Sequence, residues 1–331
     1  MGLLRFLFGG KRGQASIEKG RNFNKQNPDI SFIGTLIRIK SIDFTGLYSR
    51  SNSGEWIVGW SDSDKHGNVG GYRESGYGSF VFYNLFQNRI CARGKLERPN
   101  NGIAADNGVF LLEDWHFGSD LRGTIYIFSQ QGKVIISKQF GANILNSALS
   151  NGGTLAICQT AANSFGNDGN LLTAFNVETK SELFSIHPQT GWADKYEFLE
   201  EEQVFIVVKR DIGKFRYDRF GNFLDTEYYE MASLKSKKYD VALLAADELL
   251  KKQSLERKQI ELILEEILRA RVSGADKDQG WKTMALKLQG MALEALGRDC
   301  EALTAYDAAL RANPRIGVKR KADALRKKCH K

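Results

Sequence analysis

Asp114, His116 and Asp120 fall within one seven-residue stretch, "DWHFGSD" (114–120), a grouping that could move protons. Histidine titrates near neutral pH, and a neighbouring carboxylate can orient its ring as a base. The chain has four histidines (His66, His116, His187, His330), so candidates for such work are few. No Ser or Cys stands beside the cluster in a nucleophile motif. A loop that hydrogen-bonds its own backbone accounts for these residues with fewer demands.

Other stretches offer binding chemistry and fall short on context. "DSDKHGN" (62–68) places Asp62, Asp64 and Gly67 as a calcium loop would. His66 then stands where Asp or Asn belongs, and Arg73 stands where the closing Glu should be. A cation where the metal needs a bidentate carboxylate predicts an inter-strand loop instead. "GYGSF" (76–80) has Gly-x-Gly but precedes a strand, so it is no phosphate cradle. "SFGNDGN" (164–170) reads as a hairpin tip with no ligand set. The sequence therefore predicts no metal, no cofactor and no catalytic residues.

Charge collects at the two ends. Residues 1–25 carry +5 and residues 311–331 carry +8, which leaves the body at −5. Lys319, Arg320, Lys321, Arg326, Lys327 and Lys328 could grip phosphates or anionic lipid. No aromatic interleaves with them for base stacking, so a solvated face on a capping helix is the simpler reading. "LLRFLFGGKRG" (3–13) is short, apolar, then basic, and predicts weak membrane-surface contact at most. It suits neither a signal peptide nor a myristoylation site. No apolar run approaches the roughly 20 residues of a spanning helix. Cys91, Cys158, Cys300 and Cys329 are isolated and widely spaced, which predicts no disulfide framework, no zinc site and a reducing cytoplasmic compartment.

The elements that would carry these residues divide the chain in two, behind a basic segment over 1–28. Residues 29–230 are rich in Gly, Asn, Ser and aromatics, with short apolar runs. "EWIVGW" (55–60), "VFLLED" (109–114), "TLAICQ" (154–159) and "VFIVVK" (204–209) each follow a turn-like or polar stretch. Each is followed by a hairpin-like run, at 79–90, 124–135, 171–183 and 214–224, turning at "FQN", "QQG", "VETK" and "RFG". The hairpins recur at steps of 45, 47 and 43 residues. A repeat of about 40–45 residues with four short strands predicts stacked, blade-like sheets, because one small twisted sheet cannot bury both faces alone. In these residues the chain resembles the WD-repeat-like and quinoprotein-like β-propellers, with about four blade units and no Gly-His…Trp-Asp signature. A β-sandwich is the rival arrangement. The stretch 31–48 would supply an extra strand pair or close the ring with the last blade.

From Ser233 to the C-terminus, residues 233–331, Ala, Leu, Lys and Glu recur at helical spacing. "KYDVALLAADELLKK" (238–252) and "ERKQIELILEEILRA" (256–270) are amphipathic, and "RVSGADKDQG" (271–280) interrupts them. "GMALEALGRDCEALTAYDAALRANP" (290–314) then sets Gly290, Ala302, Tyr306, Ala309 and Pro314 in fixed order, with Gly297 at the turn. This resembles a tetratricopeptide repeat, with Leu286 and Gln289 replacing its Trp and Leu and Leu293 replacing its Tyr. The resemblance implies a close-packed helical hairpin and a partner groove presenting Met284, Lys287, Met291 and Glu294. Lys287 suits a carboxylate clamp, whereas Met291 stands where Asn is expected, so an amphipathic or hydrophobic peptide fits better. Residues 315–331 form the basic capping helix, with Val318, Ala322, Leu325 and Cys329 as its apolar stripe.

The expected fold is therefore multidomain: an all-β propeller-like domain followed by a tetratricopeptide-like helical domain. The expected function is a non-catalytic adaptor for protein partners. Two rivals stand beside it: a nucleic-acid-associated protein using the basic helix, and a propeller enzyme or small-ligand binder.

Overall fold

In the computed structural model the described residues are 29–64, 66–71, 73–118, 121–163 and 166–329. The N-terminal segment and its expected membrane contact lie outside them, as do Asp120 and His330.

Among the described residues four antiparallel sheets follow one another along the chain, each a meander of neighbouring strands. The first has six strands: β1 (Ile30–Ile33), β2 (Leu36–Ile39), β3 (Phe44–Arg50), β4 (Trp56–Ser61), β5 (Gly78–Asn84) and β6 (Arg89–Leu96). The second holds β7 (Pro99–Ala104), β8 (Phe110–Asp114), β9 (Gly123–Phe128) and β10 (Val134–Phe140). The third holds β11 (Ile144–Leu149), β12 (Leu155–Thr160), β13 (Leu172–Asn176) and β14 (Ser181–Ile186). The fourth has three strands, β15 (Lys195–Leu199), β16 (Val204–Lys209) and β17 (Gly213–Tyr217).

Stacking explains the unbroken apolar runs. Strands β8 and β12 are buried at every position, so their two faces both meet neighbours. On one face of the first sheet, Trp56, Val58, Phe80 and Phe82 pack with Phe110, Leu112 and Phe128 of the second. The Phe82 and Phe110 rings stack at 4.3 Å and those of Phe110 and Phe128 at 4.8 Å. Ile57 and Val81 point the other way, into a cluster with Ile37, Ile39 and Phe44.

Of the two roles expected for residues 31–48, they take the extra strands, pairing only within the first sheet as β1, β2 and most of β3, so they do not join the last sheet and the ring is not closed. One expectation for this region is corrected. The hairpin expected over 214–224 has one strand; beyond β17 only a single bridge, Tyr217 with Phe223, is made. Instead the chain turns helical at α1 (Thr226–Leu234), ahead of Ser233, and this helix packs on the last sheet. Tyr228 and Tyr229 meet Phe215 at ring separations of 5.5 and 4.9 Å, which puts them in aromatic contact and not in a free tail.

The remaining helices are α2 (Tyr239–Leu250), α3 (Arg257–Val272), α4 (Gln279–Ala295), α5 (Asp299–Ala312) and α6 (Lys319–Cys329). Glu256 and Gln259 close a capping box at the start of α3, and Asp278 caps α4 by accepting the Gly280 and Trp281 N–H groups. One continuous core runs from Leu234 through Leu243, Ile267, Leu288 and Tyr306 to Leu325. The reading of four unpaired cysteines is also corrected: Cys300 and Cys329 form a disulfide between the start of α5 and the end of α6. Sequence spacing hid this, because an antiparallel helix pair brings together residues 29 apart.

Candidate interaction surface

The helical hairpin is set by one close approach. A Cβ added at Gly290 would stand 2.4 Å from the Tyr306 ring, so only glycine lets the ring lie against α4. Tyr306 is fully buried, yet its hydroxyl donates to Glu294 Oε2 at 2.7 Å. Lys321 of α6 donates to the same oxygen at 3.0 Å. Burial works to raise the Glu294 carboxyl, but Tyr306 and Lys321 outweigh it and hold it below the ordinary range. Burial, then the hydrogen bond to that carboxylate, pushes the Tyr306 phenol well up.

Of the four side chains expected in the groove, Glu294 is thus drawn into the seat of α6. Met284 and Met291 are half-buried against the helical core. Lys287, one turn from each, is half-buried and has no carboxylate partner among the described residues. Gln289 accepts from Arg271 of α3 at 2.7 Å, so the position that departs from the repeat pattern serves packing between hairpins.

The six cations of the basic helix do not behave alike. Lys321 pairs with Glu294, Arg326 with Asp307 and Asp323, and Lys328 with Asp299 at 3.4 Å. Lys319, Arg320 and Lys327 are exposed and have no acidic partner among the described residues. Val318, Ala322 and Leu325 are buried, and Cys329 is half-buried in its disulfide. Half of the basic face is therefore internal electrostatics.

In the sheets, His116 is buried on a left-handed backbone (φ 56°). Its Nε2 lies 2.7 Å from Thr124 Oγ1 and its Nδ1 lies 3.3 Å from Glu97 Oε1. Burial works to raise the Glu97 carboxyl, but the Phe117 N–H and the His116 ring outweigh it and keep it low. Asp114, the expected orienter, accepts the backbone N–H groups of Glu97, Arg98 and His116 instead. The chain Glu97–His116–Thr124 has the order of an orienter, base and nucleophile. Thr124 is only 3% exposed, however, which closes it to a substrate and leaves the bonds pinning the loop to β9. Glu97 lies 19 positions from His116, beyond any local motif.

Asp62 and Asp64 also have occupations of their own. Arg73 sits 2.6 Å from Asp62 Oδ1, so the residue that broke the calcium pattern neutralises its first carboxylate. Asp64 Oδ1 accepts the His66 and Asn68 N–H groups, and Oδ2 accepts the Asn68 amide. Asp218 repeats every one of these bonds with Phe220 and Asn222. Gly67 and Gly221 both sit at φ 82°, so Asp-x-x-Gly-Asn is a turn device used twice. A cavity of about 290 Å³ lies where the third sheet meets the fourth, lined by Gln159, Asn170, His187, Pro188, Gly191 and Trp192.

No family model matches the chain, and no curated protein matches it. Among solved structures, it is similar to the structure described as the Dos1 propeller at 14% identity and a TM-score of 0.35. That likeness covers 54% of this chain and 44% of the other, so the chain spans less than half of that protein's length. A chain in the crystal structure of the mitotic checkpoint complex is similar at 8% identity and a TM-score of 0.37, over 67% of this chain and 74% of that one. Neither says what this chain binds.

Proposed function

We propose that this chain is a non-catalytic scaffold, with propeller-like blades and a tetratricopeptide-like helical unit each presenting a surface to a protein partner. The helical surface is the face of α4 bearing Met284, Lys287 and Met291, and it takes an amphipathic peptide. One observation carries this reading: Gly290 and Tyr306 spend the adjoining flank of α4 on internal packing, while this face keeps half-buried methionines around an unpaired lysine. Flexible methionines beside a single charge suit an apolar peptide with an acidic position.

The test places a photo-crosslinking amino acid at position 287 and, as control, at exposed Lys258 on α3. Partner crosslinks are expected at 287, lost when Met291→Asp is added, and absent at 258. Equal yields at both positions would discard the groove.

A further inference from the structure

We propose that the connection between α5 and α6 is a docking surface for the phosphate backbone of a nucleic-acid double helix, gripped by Arg311, Arg315, Lys319 and Arg320. Residues 311–320 hold these four cations and no carboxylate. All four are exposed, and none has an ion-pair partner among the described residues. The contrast with the far end of α6 is the informative part. There Glu294, Asp307 and Asp299 answer Lys321, Arg326 and Lys328, leaving Lys327 unanswered among the described residues of that end. At the α5–α6 tip the chain supplies no such acid. Asp278, on the neighbouring turn, spends its carboxylate on the Gly280 and Trp281 N–H groups.

Helix stability does not account for the tip. Lys319 and Arg320 occupy the first turn of α6, which has no acidic residue. Cations there oppose the helix dipole, which favours negative charge at that end. Only Arg311, in the last turn of α5, sits where the dipole welcomes it. An external polyanion reverses the unfavourable terms.

The surroundings select among polyanions. From residue 273 onward no large apolar side chain is exposed among the described residues, so the tip lacks the anchors that a membrane surface or an acidic peptide would use. No exposed aromatic stands there to stack single-stranded bases. What remains suits phosphates held in a fixed array, and three of the four cations are arginines, whose forked donors match phosphate oxygens. Binding is then independent of base sequence. This surface is separate from the groove on α4, and its failure would leave the scaffold reading standing.

The experiment measures binding of the full chain to a short random-sequence DNA duplex by fluorescence anisotropy across salt. Four phosphate contacts give a log–log salt slope of about −3.6, roughly a hundred-fold loss of affinity between about 50 and 200 mM salt. Replacing Arg311, Arg315, Lys319 and Arg320 together by Gln should flatten that slope and lower affinity at least tenfold. Replacing Lys321, Arg326 and Lys328 by Gln should leave both near wild type. Circular dichroism of each variant checks that α6 remains folded, and the tip variant, altered only at exposed positions, should melt close to wild type. Three results would overturn the proposal: no duplex binding at low salt, equal loss in the two variants, or tighter binding to a single strand, a polyglutamate peptide or phosphatidylserine vesicles than to the duplex.

Discussion

The sheets and the helices of this chain handle buried polar groups in opposite ways. In the sheets the carboxyl of Glu113 is fully inside, accepting from Asn101 at 3.0 Å and Ser147 at 2.6 Å across two sheets. Burial pushes it up, and these neutral donors offset the effect only in part. Tyr196 continues the pattern by donating to Asn146, with Gln159 accepting the Ala193 N–H beside it. In the helices the clustered core is apolar, the buried Thr283 hydroxyl donates to its own helix at Gln279, and Glu294 sits at the rim, held as an anion. Sheets that meet face to face can donate hydroxyls and amides across the junction. Helix backbones are self-satisfied, so their interiors close with leucine, isoleucine and alanine around one tyrosine, and charge is managed outside.

The strongest way to break this comparison is to cut the staple on the helical side. Cys300→Ser opens a loop spanning 29 positions, and loop-closure entropy puts the loss at about 3–4 kcal/mol. Chemical denaturation followed at 222 nm should show that loss without reductant and a much smaller difference with it. Equal stability under both conditions would mean the pair is a bystander.

Next in size is the hairpin contact. Gly290→Val sets a branched side chain into the Tyr306 ring, and overpacking of this kind costs about 1–3 kcal/mol. The helical signal should melt earlier while the near-ultraviolet signal of the sheets keeps its own transition. Simultaneous loss of both would show that the regions unfold as one.

The smallest effect distinguishes the two carboxyls by sign. Because Glu113 is raised in the fold, its contribution is fully present below the ordinary glutamate value and is lost as pH rises through its folded value. Because Glu294 is lowered, its contribution is present above the ordinary value and is lost as pH falls through its folded one. Glu113→Gln should therefore flatten the alkaline side of the stability profile, and Glu294→Gln the acid side, in urea midpoints measured across pH. Both variants acting on the same side would end the comparison.

Much of this was legible in the residues. The runs at 55–60, 109–114, 154–159 and 204–209 correspond to β4, β8, β12 and β16, since an unbroken apolar run needs burial on both faces. The partner strands β7, β11 and β15 carry weaker signals; "PNNGIA" has few residues that favour a strand. Helix α1 was hidden by Tyr228 and Tyr229, which suit either structure until Phe215 and Phe223 are beside them. Among candidate site residues, His116 was visible and its partner Glu97 was not, because their pairing depends on how two loops fold back.

By itself the sequence determined two regions of different periodicity, the repeat within the sheets, the small residues Gly290 and Ala302 of a close helical hairpin and the gathering of charge at the ends. Only the tertiary structure decided that the ring stays open, that Cys300 meets Cys329, and which cations of the last helix are already answered. The reason is range. Periodicity and turn chemistry act between residues a few positions apart, which any chain displays along its length. Pairings such as Lys321 with Glu294 or His116 with Glu97 join residues 27 and 19 positions apart, and only the packing of whole elements brings them within reach.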